Sequence, residues 1–197
     1  MMSILLAVAA NVVAATPSVE LPWFSFDDYP LDAIRAEAEG TSEFEVVIAP
    51  NGSPVSCAIT RSSGQKLLDR RACEVAMRRA RFSPARNAGL QPVYGAYRSQ
   101  IQWTIDLDTW RQVGPAPMWQ ITLNRLPAGG RFPMYVEYAV EVDSAGRATN
   151  CAPVLPDFPT LATSSCAMLL KDLPAMPLAT TNGNVPGVRS LWVAYST

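Results

Sequence analysis

Two stretches of the sequence can be written one above the other without a gap. Residues 44–57, FEVVIAPNGSPVSC, lie over residues 138–151, YAVEVDSAGRATNC. Phe44 then falls on Tyr138, Val46 on Val140, Ile48 on Val142, Gly52 on Gly146 and Cys57 on Cys151. Deleting one residue carries the alignment on, with Leu68 over Leu161, Cys73 over Cys166 and Pro84 over Pro177. A match that keeps apolar alternation, a turn glycine, both cysteines and a late proline in order predicts two copies of one small supersecondary unit.

Each copy reads as a hairpin, a helix and a returning strand. Phe44, Val46 and Ile48 alternate with Glu45 and Val47, and Asn51-Gly52 is a turn signal because both residue types tolerate positive φ. Past the turn, Val55, Cys57 and Ile59 share one parity and Ser56, Ala58 and Thr60 the other, which points Cys57 toward the core. Ser62 with Gln65 reads as a capping box, and Ser63 is an equally good N-cap. Leu68, Ala72, Val75, Ala76 and Ala80 then recur at helical spacing, with Cys73 at the edge of their stripe. Arg70, Arg71, Arg78 and Arg81 gather on the opposite side with Glu74, as a solvated face. Pro84 ends the helix, and residues 93–106 return as a long strand in which Gly95 marks a bulge.

This placement explains the cysteines. A core-facing cysteine on a hairpin and one on the helix above it are placed to bond, which pairs Cys57 with Cys73 and Cys151 with Cys166. Each bridge closes a short loop, contributing about 3 kcal/mol in the chain-entropy account, and small domains that bury little surface need such help. Four thiolates around zinc would show C-x-x-C knuckles, and neither pair does. Disulfides need an oxidising compartment. The apolar run from Ile4 to Ala15, followed by Thr-Pro-Ser, is too short to span a bilayer, for which about 20 residues are needed. Val13 and Ala15 have the spacing of a secretory cleavage site. The expectation is a periplasmic protein with a leader over residues 1–15, or one weakly held to the membrane by a retained apolar N-terminus.

The 197 residues carry a net charge of -1, which gives no bulk attraction to nucleic acid, and contain no histidine. Without histidine the commonest general base and the Ser-His and Cys-His nucleophile pairs are absent. No phosphate-cradling glycine loop and no basic aromatic motif occurs. Asp27 and Asp28 are adjacent, so they point to opposite sides, and both are read as solvated. The chain is therefore expected to be non-enzymatic, with no cofactor, no metal and no small-molecule substrate.

Residues 27–106 as a whole carry Tyr29-Pro30 before a short helix, Glu39-Gly40 leading into the first strand, and Asn51-Gly52 at the hairpin. Leu67-Leu68 open the helix, AMRRARFSPAR ends it, and a strand returns to Asp106. This order resembles the C-terminal domain of the TonB energy-transducer family. The resemblance implies an α+β fold, here two tandem small domains, each a short antiparallel sheet with a helix on one face. The domains would span residues 16–112 and 119–197, with a linker over 113–118 and the second copy degenerate. It also implies β-augmentation, in which an extended segment of an envelope protein, such as a TonB-dependent outer-membrane receptor, adds to a sheet edge. Carried over by position, the receiving edge is the last strand of the first unit, with Val93, Tyr94, Ala96, Arg98, Gln100 and Gln102, and Tyr29 and Pro30 nearby. The departures are that no spanning helix and no proline-rich arm is visible, the 17 prolines being scattered.

Overall fold

The structure, a computed structural model, describes residues 12–18, 23–106, 111–113, 117–123, 134–154 and 159–196. In the first half the elements are β1 (Thr16–Pro17), a 3-10 turn (Phe26–Asp28), α1 (Leu31–Arg35), β2 (Gly40–Ile48), β3 (Pro54–Arg61) and α2 (Lys66–Arg79). They continue with β4 (Phe82–Ser83), β5 (Ala85–Arg86) and β6 (Pro92–Trp103). After β7 (Arg111–Val113) and β8 (Trp119–Thr122) come β9 (Met134–Val142), β10 (Ala148–Pro153) and α3 (Pro159–Asp172). The chain finishes with β11 (Leu178–Thr180), β12 (Gly183–Val185) and β13 (Gly187–Ser196).

Both halves run hairpin, helix, long strand, and in both the hairpin glycine has the same job. Gly52 (φ +83°) and Gly146 (φ +81°) sit in the left-handed region that side chains disfavour. The Gly52 carbonyl accepts the Phe82 N–H at 3.2 Å, and the Gly146 carbonyl accepts the Met176 N–H at 2.8 Å. A Cβ on Gly52 would lie 2.2 Å from the Phe82 carbonyl oxygen, and one on Gly146 2.2 Å from the Pro177 nitrogen. The turn thus docks the segment leaving the helix, and only glycine leaves room for it.

The two halves do not form separate sheets. Among the described residues one sheet runs β10-β9-β13-β6-β2-β3, with β5 and β7 also pairing β6 and β8 pairing β13. The halves meet through their last strands, where Gly187, Val188 and Arg189 of β13 pair in parallel with Tyr94, Gly95 and Ala96 of β6. Joining two like units through parallel last strands turns one over relative to the other, so their helices cover opposite faces. The side chains bear this out, because successive residues of one strand serve different cores. Phe44, Val46 and Ile48 pack under the α2 stripe Leu68, Ala72, Val75, Ala76 and Ala80, together with Ala139 and Val188 from the second half. Val47 and Ala96 instead join Tyr138, Val140, Val142, Leu191, Val193 and Tyr195 under Leu169 of α3.

Four local expectations change for physical reasons. Val47 is not on a solvated face; it is 4 % exposed because the second half covers it. Val55 leaves the parity of Cys57 and Ile59 because the pairing of β2 with β3 shifts between Val47 and Ile48, making Val55 an extra residue. Neither Ser62 nor Ser63 caps α2, whose N-cap position is Gln65. Both serines donate to the Asp69 carboxylate instead, at 2.5 and 2.8 Å, with Ser42 at 2.8 Å and the Ser63 N–H at 2.9 Å. Asp28 is 1 % exposed rather than solvated. It lies against Arg71 at 3.1 Å and Arg79 at 2.5 Å, so part of the expected solvated arginine face is an anchor for the 3-10 turn.

The cysteines join as the repeat predicts. Cys57 is bonded to Cys73 and Cys151 to Cys166, with Cα–Cα separations of 5.6 Å in both.

Candidate functional site: the edge of the long strand

β6 is long because its partners are. On one side β2 runs antiparallel to it from Gly40–Trp103 to Ile48–Gly95. At its start β5 pairs Ala85 with Val93 and Arg86 with Pro92. On the side away from β2, β13 takes Tyr94, Gly95 and Ala96, and β7 takes Gln100, Ile101 and Gln102. The strand expected to receive a partner is thus flanked by its own chain at Val93, Tyr94, Ala96, Gln100 and Gln102. The expected linker region contributes to this, since its first residue, Val113, is paired with Gln100.

Arg98 lies between the β13 and β7 pairings and turns toward Glu45, with Nε 3.4 Å away. The same Glu45 carboxylate accepts a bond from Arg189 at 2.5 Å, and Arg189 also donates to the carbonyls of Met176 and Pro177, both at 2.6 Å. Arg189 is 7 % exposed, so its charge is withdrawn from water and held by one carboxylate and two carbonyls. β13 cannot leave β6 without breaking this set. Gly187 makes the close approach possible, because a Cβ there would lie 2.2 Å from the Tyr94 carbonyl oxygen.

Tyr29 lies at the Trp103 end of β6, beyond Gln102 and away from the β13 pairing. Tyr29 is 3 % exposed, donates its hydroxyl to the Ala38 carbonyl at 2.7 Å and packs on Trp103 with ring centroids 5.4 Å apart. Burial, and then the nearby Glu39 charge, raise its hydroxyl pKa. Trp103 is at the far end of β6 from the β13 pairing: seven residues beyond Ala96, or about 23 Å of strand. Tyr29 and Pro30 instead line a polar pocket of about 220 Å³ with Asp28, Leu67, Arg70, Arg71 and Glu74. Burial alone would raise the Asp28 pKa, but the Ser25 N–H and the Arg79 and Arg71 guanidiniums outweigh it and hold the carboxyl below its usual range.

A second concavity was not visible in the sequence. Trp119 and Ile121 of β8 and Met168, Leu169 and Leu173 near the end of α3 line an apolar pocket of about 270 Å³. Its signal was the run AMLLK, where more apolar residues fall on α3 than one stripe can bury, leaving Met168 39 % and Leu170 38 % exposed. Among the described residues no cluster of metal-ligating side chains occurs, and no helix is long and apolar enough to cross a membrane.

An antiparallel hairpin and long strand carrying one disulfide-tied helix defines a small α+β domain. Residues 27–105 match the family model described as Gram-negative bacterial TonB protein C-terminal. The match ends at the close of β6, before the second half begins. No curated protein and no solved structure matches the chain.

Proposed function

We propose that the chain is an exported, non-enzymatic interaction module of the cell envelope, related to TonB-type transport, in which the second half occupies the receptor-strand position along β6. The observation that carries this reading is the pairing of Gly187, Val188 and Arg189 with Tyr94, Gly95 and Ala96. A TonB-type domain takes an extended segment by strand addition, and β13 lies where such a segment would run. The partner in this reading is an extended segment of an outer-membrane receptor or other envelope protein, which displaces residues 187–189 to reach Tyr94, Ala96 and Arg98, and must displace β7 as well to reach Gln100 and Gln102. A tethered competitor acts at an effective concentration on the order of mM, so the partner must out-compete it or meet an opened seam. Two intramolecular disulfides support the periplasm as the compartment. The second half is, on this view, a diverged copy of the first.

A second reading, a structural or regulatory protein that binds no peptide, is favoured by the blunted outer edges of the sheet. β3 begins at a proline and its pairing shifts twice. β10 has an extra residue at Thr149, spends the Cys151 N–H on the Asn150 side chain at 2.9 Å and ends at Pro153. Such irregularities discourage strand addition.

Labelled receptor-derived peptides titrated into the oxidised full chain separate the readings, with Arg189→Ala as the loosened seam. The expected result is little saturation for the wild type, saturable binding for the variant, and faster amide exchange at residues 94–96 in the variant. Flat titrations of a variant whose seam exchange shows to be open favour the second reading. Wild-type binding that substitution at Ala96 or Gln100 weakens would overturn self-capping.

A further inference from the structure

We infer that β8 and the apolar pocket beside it form a second docking edge, which takes an extended peptide segment with apolar side chains at alternate positions and a lysine or arginine beside them. The site lies in the second half, outside the stretch that matches the family model, and it does not require the seam between β6 and β13 to open.

The sheet divides beyond that seam. Among the described residues β7 continues beside β6 and β8 beside β13, and β7 and β8 do not pair with each other. β8 is therefore an edge strand, with a row of main-chain donors and acceptors on the side away from β13. Prolines and register shifts blunt the outer strands β3 and β10. β8 has no such guard: it pairs residue for residue with β13, from Trp119 with Val193 to Thr122 with Ser196, and carries neither a proline nor a charge.

The pocket of about 270 Å³ runs along this edge, because all four consecutive residues of β8 line it. Trp119 and Ile121 turn toward the core under α3, while Gln120 alternates to the other face and its amide donates to Ser196 Oγ at 3.1 Å. Residues of both parities line the pocket, so the backbone of the strand is itself a wall. That favours an extended peptide over a compact ligand: the main chain of the occupant meets β8, and every second side chain turns under α3. The volume also lies below the roughly 300–1,000 Å³ of sites that enclose a drug-sized molecule. On the helix side Leu169 is 2 % exposed, and Met168 and Asp172, one turn apart, stand exposed at the rim. Asp172 makes no ion pair among the described residues, and its carboxylate calls for a cation next to the apolar positions. A short edge offers few main-chain bonds, so the pocket supplies most of the selectivity.

The test uses the oxidised full chain and short fluorescent peptides with Val, Leu or Phe at alternate positions, Thr between them and Lys at one end. Saturable anisotropy is expected. It should vanish on N-methylation of one alternating set of peptide amides, the set that faces β8, and persist for the other set. Asp172→Lys, at an exposed position, should weaken the Lys peptides by about fivefold or more, the effect of losing one exposed ion pair, and should strengthen peptides in which Glu replaces Lys. Arg189→Ala should leave the affinity unchanged. Flat titrations with every peptide overturn the site. Binding that survives N-methylation of either set also overturns it, since the pocket would then take an apolar group without strand addition. Binding that Arg189→Ala strengthens and Asp172→Lys does not alter belongs to β6; it overturns this site and supports the seam reading. Sedimentation of the free chain tests the remaining occupant: a dimer that Met168→Lys dissociates would mean that a second copy lies on the edge, and overturns the peptide partner.

Discussion

Arg189 on β13 and Glu45 on β2 are 144 residues apart in sequence and in contact at 2.5 Å, with side chains 9 and 13 % exposed. The pair spans β6 and joins the outer strand pair of the first half to the last strand of the second. Removing one member of a buried ion pair costs about 3–5 kcal/mol when the other is left unpaired, but Arg98 stays 3.4 Å from Glu45. Arg189→Met is therefore expected to lose less than that, about 2–3 kcal/mol, in chemical denaturation. Adding Glu45→Gln should cost less than the sum of the two single changes, because the contact has already gone. A loss under about 1 kcal/mol would show that the contact does not hold the seam.

Gly187→Ala tests the seam by sterics rather than charge. The added carbon would lie 2.2 Å from the Tyr94 carbonyl oxygen and 2.6 Å from Leu178 Cδ1, so the parallel strands must part. Overpacking of this kind costs about 1–3 kcal/mol. The expected signature is faster amide exchange at residues 94–96 while the amides of α2 stay protected. A variant with exchange like the wild type would mean the strands adjust without separating.

Each disulfide closes a loop of similar length, with sequence separations of 16 and 15. Cys57→Ser with Cys73→Ser, and Cys151→Ser with Cys166→Ser, should each cost about 3 kcal/mol. Peptide mapping without reductant should find two crosslinks, each within one half.

Acid stability is expected to depend on Asp28 and Asp69. Burial opposes ionisation of Asp69, but the Ser62, Ser63 and Ser42 bonds outweigh it, so both carboxyls titrate below their ordinary values. A depressed folded pKa gives stability that is present above the unfolded value, about 3.9, and is lost as the pH falls through the folded value. Asp28→Asn should therefore destabilise at neutral pH and flatten the acid limb below about pH 4. An unchanged limb would count against the role of this carboxylate.

Glu137 has the opposite sign. Burial raises its pKa, and the Ser190 hydroxyl bond recovers only part of the cost. A carboxyl with a raised folded pKa favours folding while protonated, and that contribution fades as the pH rises from about 4.3 through the folded value. Glu137→Gln keeps an acceptor for Ser190 and removes the charge. It is expected to leave stability at neutral pH equal or higher, and a clear loss in thermal unfolding would show that the charge itself is needed.

What the sequence made legible was local. Phe44, Val46 and Ile48 announce a buried strand face, the α2 stripe announces its cover, and all eight of these side chains are 0 % exposed. The cysteine pairs followed from the same parity and spacing. The arginines were misread because a solvated helix face and one that holds a buried Asp28 have the same pattern; the difference is an aspartate 43 residues before Arg71. The candidate edge was legible as a strand but not as an occupied one, since Val93, Tyr94 and Ala96 carry no mark of what lies beside them.

From the sequence alone come the repeat, the α+β elements, the covalent ties and the family resemblance, because periodicity, turn chemistry and cysteine spacing act over a few residues. Only the tertiary structure decided that the two last strands join in parallel and that Val47 and Ala96 face a second core. It also decided that residues 12–17 are built into the first core. These choices rest on contacts between segments some 70 to 140 residues apart, such as Ala15 with Gly95 and Arg189 with Glu45. Which of two exposed-looking strands comes to lie beside the other is set by shape and charge across that contact, and neither partner encodes it alone.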